Sequence, residues 1–250
     1  MPSPEIWSDK YKVHSYHTDR YSKLRINVIA GFLQESAWLH SNACGIGYND
    51  LMQIGKMWIL SGIKIKVEVY PSWGDEITMN TWGNDYEDPF AYRDFELLDR
   101  NGNQIVSGCT SWLLINISNH RPNRITPEYQ KIPRRGIDSG SGKPERLAVL
   151  AKYAYVKFRE VTNSDIDIYQ HVNNAKYVEW FSDLVATELW KTHEIDEITV
   201  NYLSESLPDN KIRFSIIQNE NSSYYFSAYN ETLKKEVCRA EFHFRKKMIH

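Results

Sequence analysis

At 250 residues the chain is long enough to bury a substantial core, as one large or two ordinary domains. Its 42% of hydrophobic residues and formal charge of −2 describe a globular protein with interspersed charge, and exclude a polyelectrolyte that holds nucleic acid by bulk charge. Three cysteines (Cys44, Cys109, Cys238) without C-x-x-C spacing argue against a disulfide framework or a metal site, and no apolar run approaches the ~18 residues of a membrane span.

In chain order, the opening M-P-S-P-E-I-W-S-D-K lacks the apolar region of a signal peptide, so a reduced, cytoplasmic chain is expected. Helical spacing of apolar residues runs from about Ile26 to Leu39. Residues 42–58 (N-A-C-G-I-G-Y-N-D-L-M-Q-I-G-K-M-W) form an insertion that adds flexible apolar groups. Residues 63–79 (I-K-I-K-V-E-V-Y-P-S-W-G-D-E-I-T-M) alternate as strands through a Trp-Gly-Asp turn. Alternating runs at 90–98 and 105–115 follow, joined by a D-R-N-G turn.

Residues 119–147 collect prolines, glycines and cations, which reads as a linker crossing an outer surface. Beyond it the pattern repeats. A helix is expected from about Asn173 to Trp190, then strands at 198–214 with Pro-Asp-Asn at the turn. Runs at 224–230 and 236–244 follow, with a turn near Leu233 and Lys234. The expected domains are therefore 1–118 and 148–250, with 119–147 between them.

Each half reads as strand, long helix and several antiparallel strands. The economical packing is α+β, a sheet curled round one apolar helix, and two such sheets can pair edge to edge. That is a tandem double hotdog.

The second half carries D-I-Y-Q-H-V-N-N-A-K-Y-V-E-W from Asp167, and the first carries L-Q-E-S-A-W-L-H from Leu33. Over nearly the whole chain these features resemble the acyl-ACP thioesterase family of plant plastids and many bacteria. The resemblance implies hydrolysis of fatty acyl-ACP thioesters to free fatty acid and carrier thiol, with no metal and no cofactor. It points to Asp167, His171 and Glu205 as catalytic, the last through the Glu205-Ser206 dipeptide that matches the family's Glu-Cys. Ser206 in place of that Cys excludes a thiolate there, which favours water attack assisted by carboxylate and imidazole.

Thioester hydrolysis needs a donor for the developing oxyanion and a pocket for the acyl chain. First-turn amides near Val172 and Asn173 suit the oxyanion. Tyr169, which stands where the family usually has Asn, and Trp38 in the first half are candidates for substrate contact. Aligning the repeats sets Asp19 opposite Asp167, Lys23 opposite His171 and Tyr70 opposite Glu205, so chemistry is expected in the second half and pocket shaping in the first.

An acidic acyl carrier protein calls for cations, with Arg134, Arg135, Lys143, Arg146, Arg245, Lys246 and Lys247 as candidates. The residues alone leave open an acyl-CoA thioesterase, a hotdog dehydratase and a non-catalytic acyl-thioester binding protein, and they leave room for a homodimer.

Overall fold

The computed structural model describes residues 4–125, 130–149, 155–219 and 223–247. The chain divides into two compact units, Met1–Pro144 and Glu145–His250. Part of the segment expected to link them, residues 126–129, lies outside the described residues.

The first unit begins with β1 (Trp7–Lys12), a 3-10 turn at Ser15–His17 and helix α1 (Ile26–Ala43). A short α2 (Tyr48–Met52) precedes strands β2 (Lys56–Val67), β3 (Glu76–Glu87), β4 (Phe90–Leu98) and β5 (Gln104–Asn116). The strands form an antiparallel sheet in the order β1-β3-β4-β5-β2.

The second unit repeats this plan. It has β6 (Tyr155–Glu160), a 3-10 turn at Asn163–Asp165 and helices α3 (Asn174–Ser182) and α4 (Thr187–Thr192). Strands β7 (His193–Tyr202), β8 (Lys211–Gln218), β9 (Ser223–Asn230) and β10 (Lys235–Lys246) follow, in the sheet order β6-β8-β9-β10-β7. Each unit is a hotdog, as the strand spacing predicts.

Helix α1 turns Ile26, Ile29, Ala30, Leu33 and Ala37 inward, the 3-4 spacing of an apolar stripe. It lies so close to β5 that a Cβ on Gly108 would stand 2.8 Å from Leu33 Cδ2, so a larger residue there would push the Leu33 side chain aside. In the second unit Phe181 of α3 packs on Phe226, Phe214 and Phe242 with ring centroids 5.1, 6.0 and 6.3 Å away. Alternation along β10 supplies that layer, burying Cys238, Ala240, Phe242 and Phe244.

The expected insertion at 42–58 is not a loose appendage. Cys44, Ile46 and Leu51 are buried with Ala91, Leu114, Ile125 and Ile132 in one apolar cluster. Nor is there one helix from Asn173 to Trp190. Ser182 Oγ donates to the Val178 carbonyl at 2.8 Å, the next bonds tighten to i−3 (Leu184 N to Phe181 and Val185 N to Ser182, 3.1 and 3.3 Å), and Ala186 is non-helical (ψ 133°), so α3 stops and α4 starts afresh. A hydroxyl that takes an i−4 carbonyl competes with helix propagation.

Residues of the stretch 119–147 are tied to the strands by hydrogen bonds. Ser139 donates from N to Asp94 Oδ1 (3.0 Å) and from Oγ to the Gly108 carbonyl (3.0 Å), while Trp82 Nε1 donates to the Ile137 carbonyl (2.8 Å). This strap explains why β4 and β5 are buried on successive residues and not on alternate ones. The burial also raises the Asp94 carboxyl above its usual range, against the hydrogen bonds from Ser139 and Asn84. In the second unit Leu147 N donates to Asn201 Oδ1 (2.8 Å), and Arg239 Nη1 donates to the Leu147 carbonyl (2.9 Å).

Candidate active site at the entrance of α3

The loop from Thr162 to Asn173 is built on two carboxylates. Asp165, buried, accepts from Thr162 N and Thr162 Oγ1, both at 2.9 Å, and from Arg159 Nη2 at 3.1 Å. Those bonds fix the base of the loop. Further along, Asp167 Oδ1 accepts from Tyr169 N (2.9 Å), Asp167 N donates to the His171 carbonyl (2.9 Å), and Gln170 takes φ 64° to close the turn. Burial raises the Asp167 carboxyl, opposed by backbone donors from Tyr169 and His171 and by the charge of His171.

The turn aims His171 at Glu205. The imidazole Nε2 lies 3.2 Å from Glu205 Oε2, and the side chains keep 28% and 44% of their surface exposed, so water reaches the pair. Glu205 is not on a strand; it sits in the loop after β7 ends at Tyr202. Its neighbour Ser206 is buried and accepts at its carbonyl from Val172 N (2.9 Å).

Two expected donors are already used. Val172 N is spent on Ser206, and Asn173 N donates to the Asp165 carbonyl at 2.9 Å. Asn173 is instead the cap of α3, its Oδ1 accepting from Ala175 N at 2.9 Å. The next amide, that of Asn174, has no acceptor among the described residues. Tyr169 is half-buried within the turn. Trp38 belongs to the first unit and is 38% exposed, away from the buried face of α1.

The first unit carries the same loop backbone. Asp19 N donates to the Lys23 carbonyl (2.8 Å), Asp19 Oδ1 accepts from Tyr21 N (2.8 Å), and Ser22 has φ 61°. Leu24 N donates to the Pro71 carbonyl (2.8 Å) as Val172 N does to Ser206, which confirms the register that sets Lys23 opposite His171 and Tyr70 opposite Glu205. In place of an imidazole facing a carboxylate, Lys23 Nζ donates to Ser72 Oγ at 3.0 Å.

His40, the last residue of the first-half motif, is structural. Its Nδ1 lies 2.8 Å from Arg93 Nη1 and its Nε2 lies 2.9 Å from the Pro4 carbonyl. Arg93 can only donate, so the ring is neutral, and burial with the adjacent guanidinium lowers it to about 4.

The three cysteines are buried and none is in a disulfide. Burial pushes the thiols of Cys109 and Cys238 far up, so neither is a thiolate near neutrality. Short exposure of the folded protein to a thiol-alkylating reagent should leave most activity, and stoichiometric inactivation with labelling at one cysteine would show otherwise. Among the described residues no cluster of His, Cys, Asp or Glu could hold a metal ion, and no helix is long and apolar enough to cross a membrane.

Two hotdog units in tandem, with a solvent-open His–Glu pair at a helix entrance, define a hotdog protein of the thioesterase type. The family models for the acyl-ACP thioesterase N-terminal and C-terminal domains match residues 4–132 and 151–246, so the chain belongs to the acyl-ACP thioesterase family, whose class is thioester hydrolase. It is 26% identical to a chloroplastic dodecanoyl-[acyl-carrier-protein] hydrolase of Cinnamomum camphora, over 99% of this chain and 69% of the relative. It is 27% identical to oleoyl-acyl carrier protein thioesterase 2 of Arabidopsis thaliana, over 81% of this chain and 60% of the relative. In fold it is similar to an acyl-ACP thioesterase from Bacteroides thetaiotaomicron (TM-score 0.89, 23% identity, 96% of this chain and 98% of that one). It is also similar to the 12:0-ACP thioesterase from Umbellularia californica (TM-score 0.84, 22% identity, 98% of each chain).

Proposed function

We propose that the chain hydrolyses fatty acyl thioesters of acyl carrier protein by attack of a water molecule that the His171–Glu205 pair activates. The observation that carries this reading is the 3.2 Å approach of His171 Nε2 to Glu205 Oε2 beside the entrance of α3. The imidazole, held by the carboxylate, takes a proton from water as the oxygen adds to the thioester carbon. The oxyanion forms near the start of α3, where the free amide of Asn174 and the helix dipole favour negative charge. Collapse breaks the C–S bond, the proton passes to sulfur, and free fatty acid and carrier thiol leave. Asp167 holds the turn that aims His171, and its half-buried carboxyl lies close enough to interact with the charge of that residue.

An acidic carrier needs cations that are not already neutralised. Lys143 lies 2.5 Å from Glu87, and Arg245 lies 2.9 Å from Glu194, which weakens both as docking charges. Arg135 lies over the Trp82 ring at 5.0 Å, and Arg134, over the Tyr86 ring at 5.6 Å, has only a long and exposed ion pair with Asp85 at 3.9 Å, so these two keep more of their charge for a partner. The test is thiol release from matched acyl-ACP and acyl-CoA substrates by the wild type and by the Arg134→Glu, Arg135→Glu variant. Reversal should raise KM for acyl-ACP several-fold and flatten its salt dependence, with turnover at saturation kept. Equal effects on acyl-CoA would make coenzyme A the natural carrier, and binding without thiol release would make the protein an acyl-thioester binder.

A further inference from the structure

Behind Glu205 lies a buried polar cluster that the reaction above does not use. Ser206 Oγ accepts from Tyr177 Oη of α3 at 3.0 Å and from Asn230 Nδ2 at the end of β9 at 3.1 Å. The Asn230 amide also donates to Asn210 Oδ1 at 2.7 Å, while its carbonyl oxygen accepts from Thr232 N and Leu233 N at 3.0 and 2.9 Å. Tyr177, Ser206, Asn210 and Asn230 are all buried. Burial also raises the Tyr177 phenol, which remains a donor.

We propose that Ser206 is a positioning residue, a hydrogen-bond acceptor that fixes the Glu205 segment against the His171 loop. This rests on the assignment of His171 and Glu205 to the reaction. Ser206 ties three parts of the unit together. Its carbonyl holds Val172, the residue after His171, and its hydroxyl is held by the helix and by β9. A hydroxyl whose two lone pairs both accept hydrogen bonds has none left to attack a thioester, so the position does not act as a nucleophile.

The first unit provides the comparison. By the shared backbone bonds Pro71 stands where Ser206 does, and its carbonyl still holds Leu24 N at 2.8 Å. Proline has no hydroxyl to be held. The helix position that matches Tyr177 is Ile29, buried and apolar, and the turn that Asn230 caps is capped there by Asp99, accepting from Asn101 N and Asn103 N at 2.8 and 2.9 Å. A carboxylate offers no amide donor. The backbone half of the arrangement is thus present in both units, and the side-chain half only where the His–Glu pair is.

The experiment measures kcat and KM for thiol release from one acyl-ACP with Ser206→Ala, Ser206→Cys, Tyr177→Phe, the Ser206→Ala, Tyr177→Phe double variant, and Glu205→Ala in parallel. Ser206→Ala should lower kcat about 10- to 100-fold with KM within about two-fold, since a misaimed base is lost from the transition state and not from substrate binding. Ser206→Cys should fall between alanine and wild type, because sulfur accepts weakly, and should stay insensitive to alkylation. Tyr177→Phe should cost about 3- to 10-fold alone and less than about two-fold in the Ser206→Ala background, because its partner is already gone. The double-variant ratio separates positioning from a general loss of folding, and Tyr177→Phe serves if Ser206→Ala does not fold. Wild-type turnover in Ser206→Ala beside an inactive Glu205→Ala would overturn the positioning role alone. An acyl adduct on Ser206 would overturn it too, and full activity in Glu205→Ala would overturn the site assignment and this inference together.

Discussion

His171→Ala and Glu205→Ala should each lower kcat by about 10² to 10⁴ with the protein still folded, the range for loss of a positioned acid–base group. Both side chains are partly open to solvent and neither is part of the apolar core, so truncation removes chemistry and spares packing. Asp167→Asn makes a finer cut. The amide keeps an oxygen for Tyr169 N, so the turn can persist while the charge beside His171 disappears. A loss of about 10² or more in this variant would therefore report the charge. Asp19→Asn is the matched control, because Asp19 makes the same turn beside a lysine. Steady-state thiol release with circular dichroism on each variant decides the matter. Equal losses at Asp19 and Asp167 would place the function of both in the turn and not in the reaction.

The largest effect on stability is expected at Phe181. Its side chain is fully buried and meets three other phenylalanines, so Phe181→Ala should cost about 3 to 5 kcal/mol through lost burial and the cavity left behind. Phe158→Ala, on a ring that is 64% exposed, should stay within about 0.5 kcal/mol. Denaturant titration followed by fluorescence and circular dichroism measures both. Similar midpoints for the two variants would show that the aromatic cluster is not what holds the second unit together.

Much of this was legible in the sequence because it is periodic or local. Strand alternation located β4, β5, β9 and β10 and only the starts of β3 and β8, and the repeat placed Asp19 against Asp167 and Tyr70 against Glu205 in the register that the backbone bonds show. The approach of Glu205 to His171 came from family resemblance, since 34 positions separate them and no local pattern joins them.

What stayed hidden depends on partners distant in the chain. After Ser182 the backbone bonds tighten from i−4 to i−3 at Leu184 and Val185 and the chain leaves helical geometry at Ala186, which apolar spacing cannot show. Val172 and Asn173 looked like open first-turn donors, but the Ser206 and Asp165 carbonyls occupy them. Asp165 itself had a visible signal, an acid three places after Thr162, which is the spacing of a capping box. Tyr177 stood within the motif that starts at Asp167, but neither its partner nor Asn230 could be read there, because these residues become meaningful only when α3 and β9 converge on Ser206.

The twin turns at Asp19 and Asp167 show that the shape of this loop and its reactivity are specified by different letters of the sequence. The aspartate and the left-handed residue three places later set the path of the main chain, and they do so equally well whether lysine or histidine follows. Reactivity can then be gained or erased by exchanging side chains on a backbone that need not move. For a duplicated gene, that separates the risk of losing a fold from the risk of losing a reaction, and it lets one copy drift toward a new task while its scaffold is still maintained.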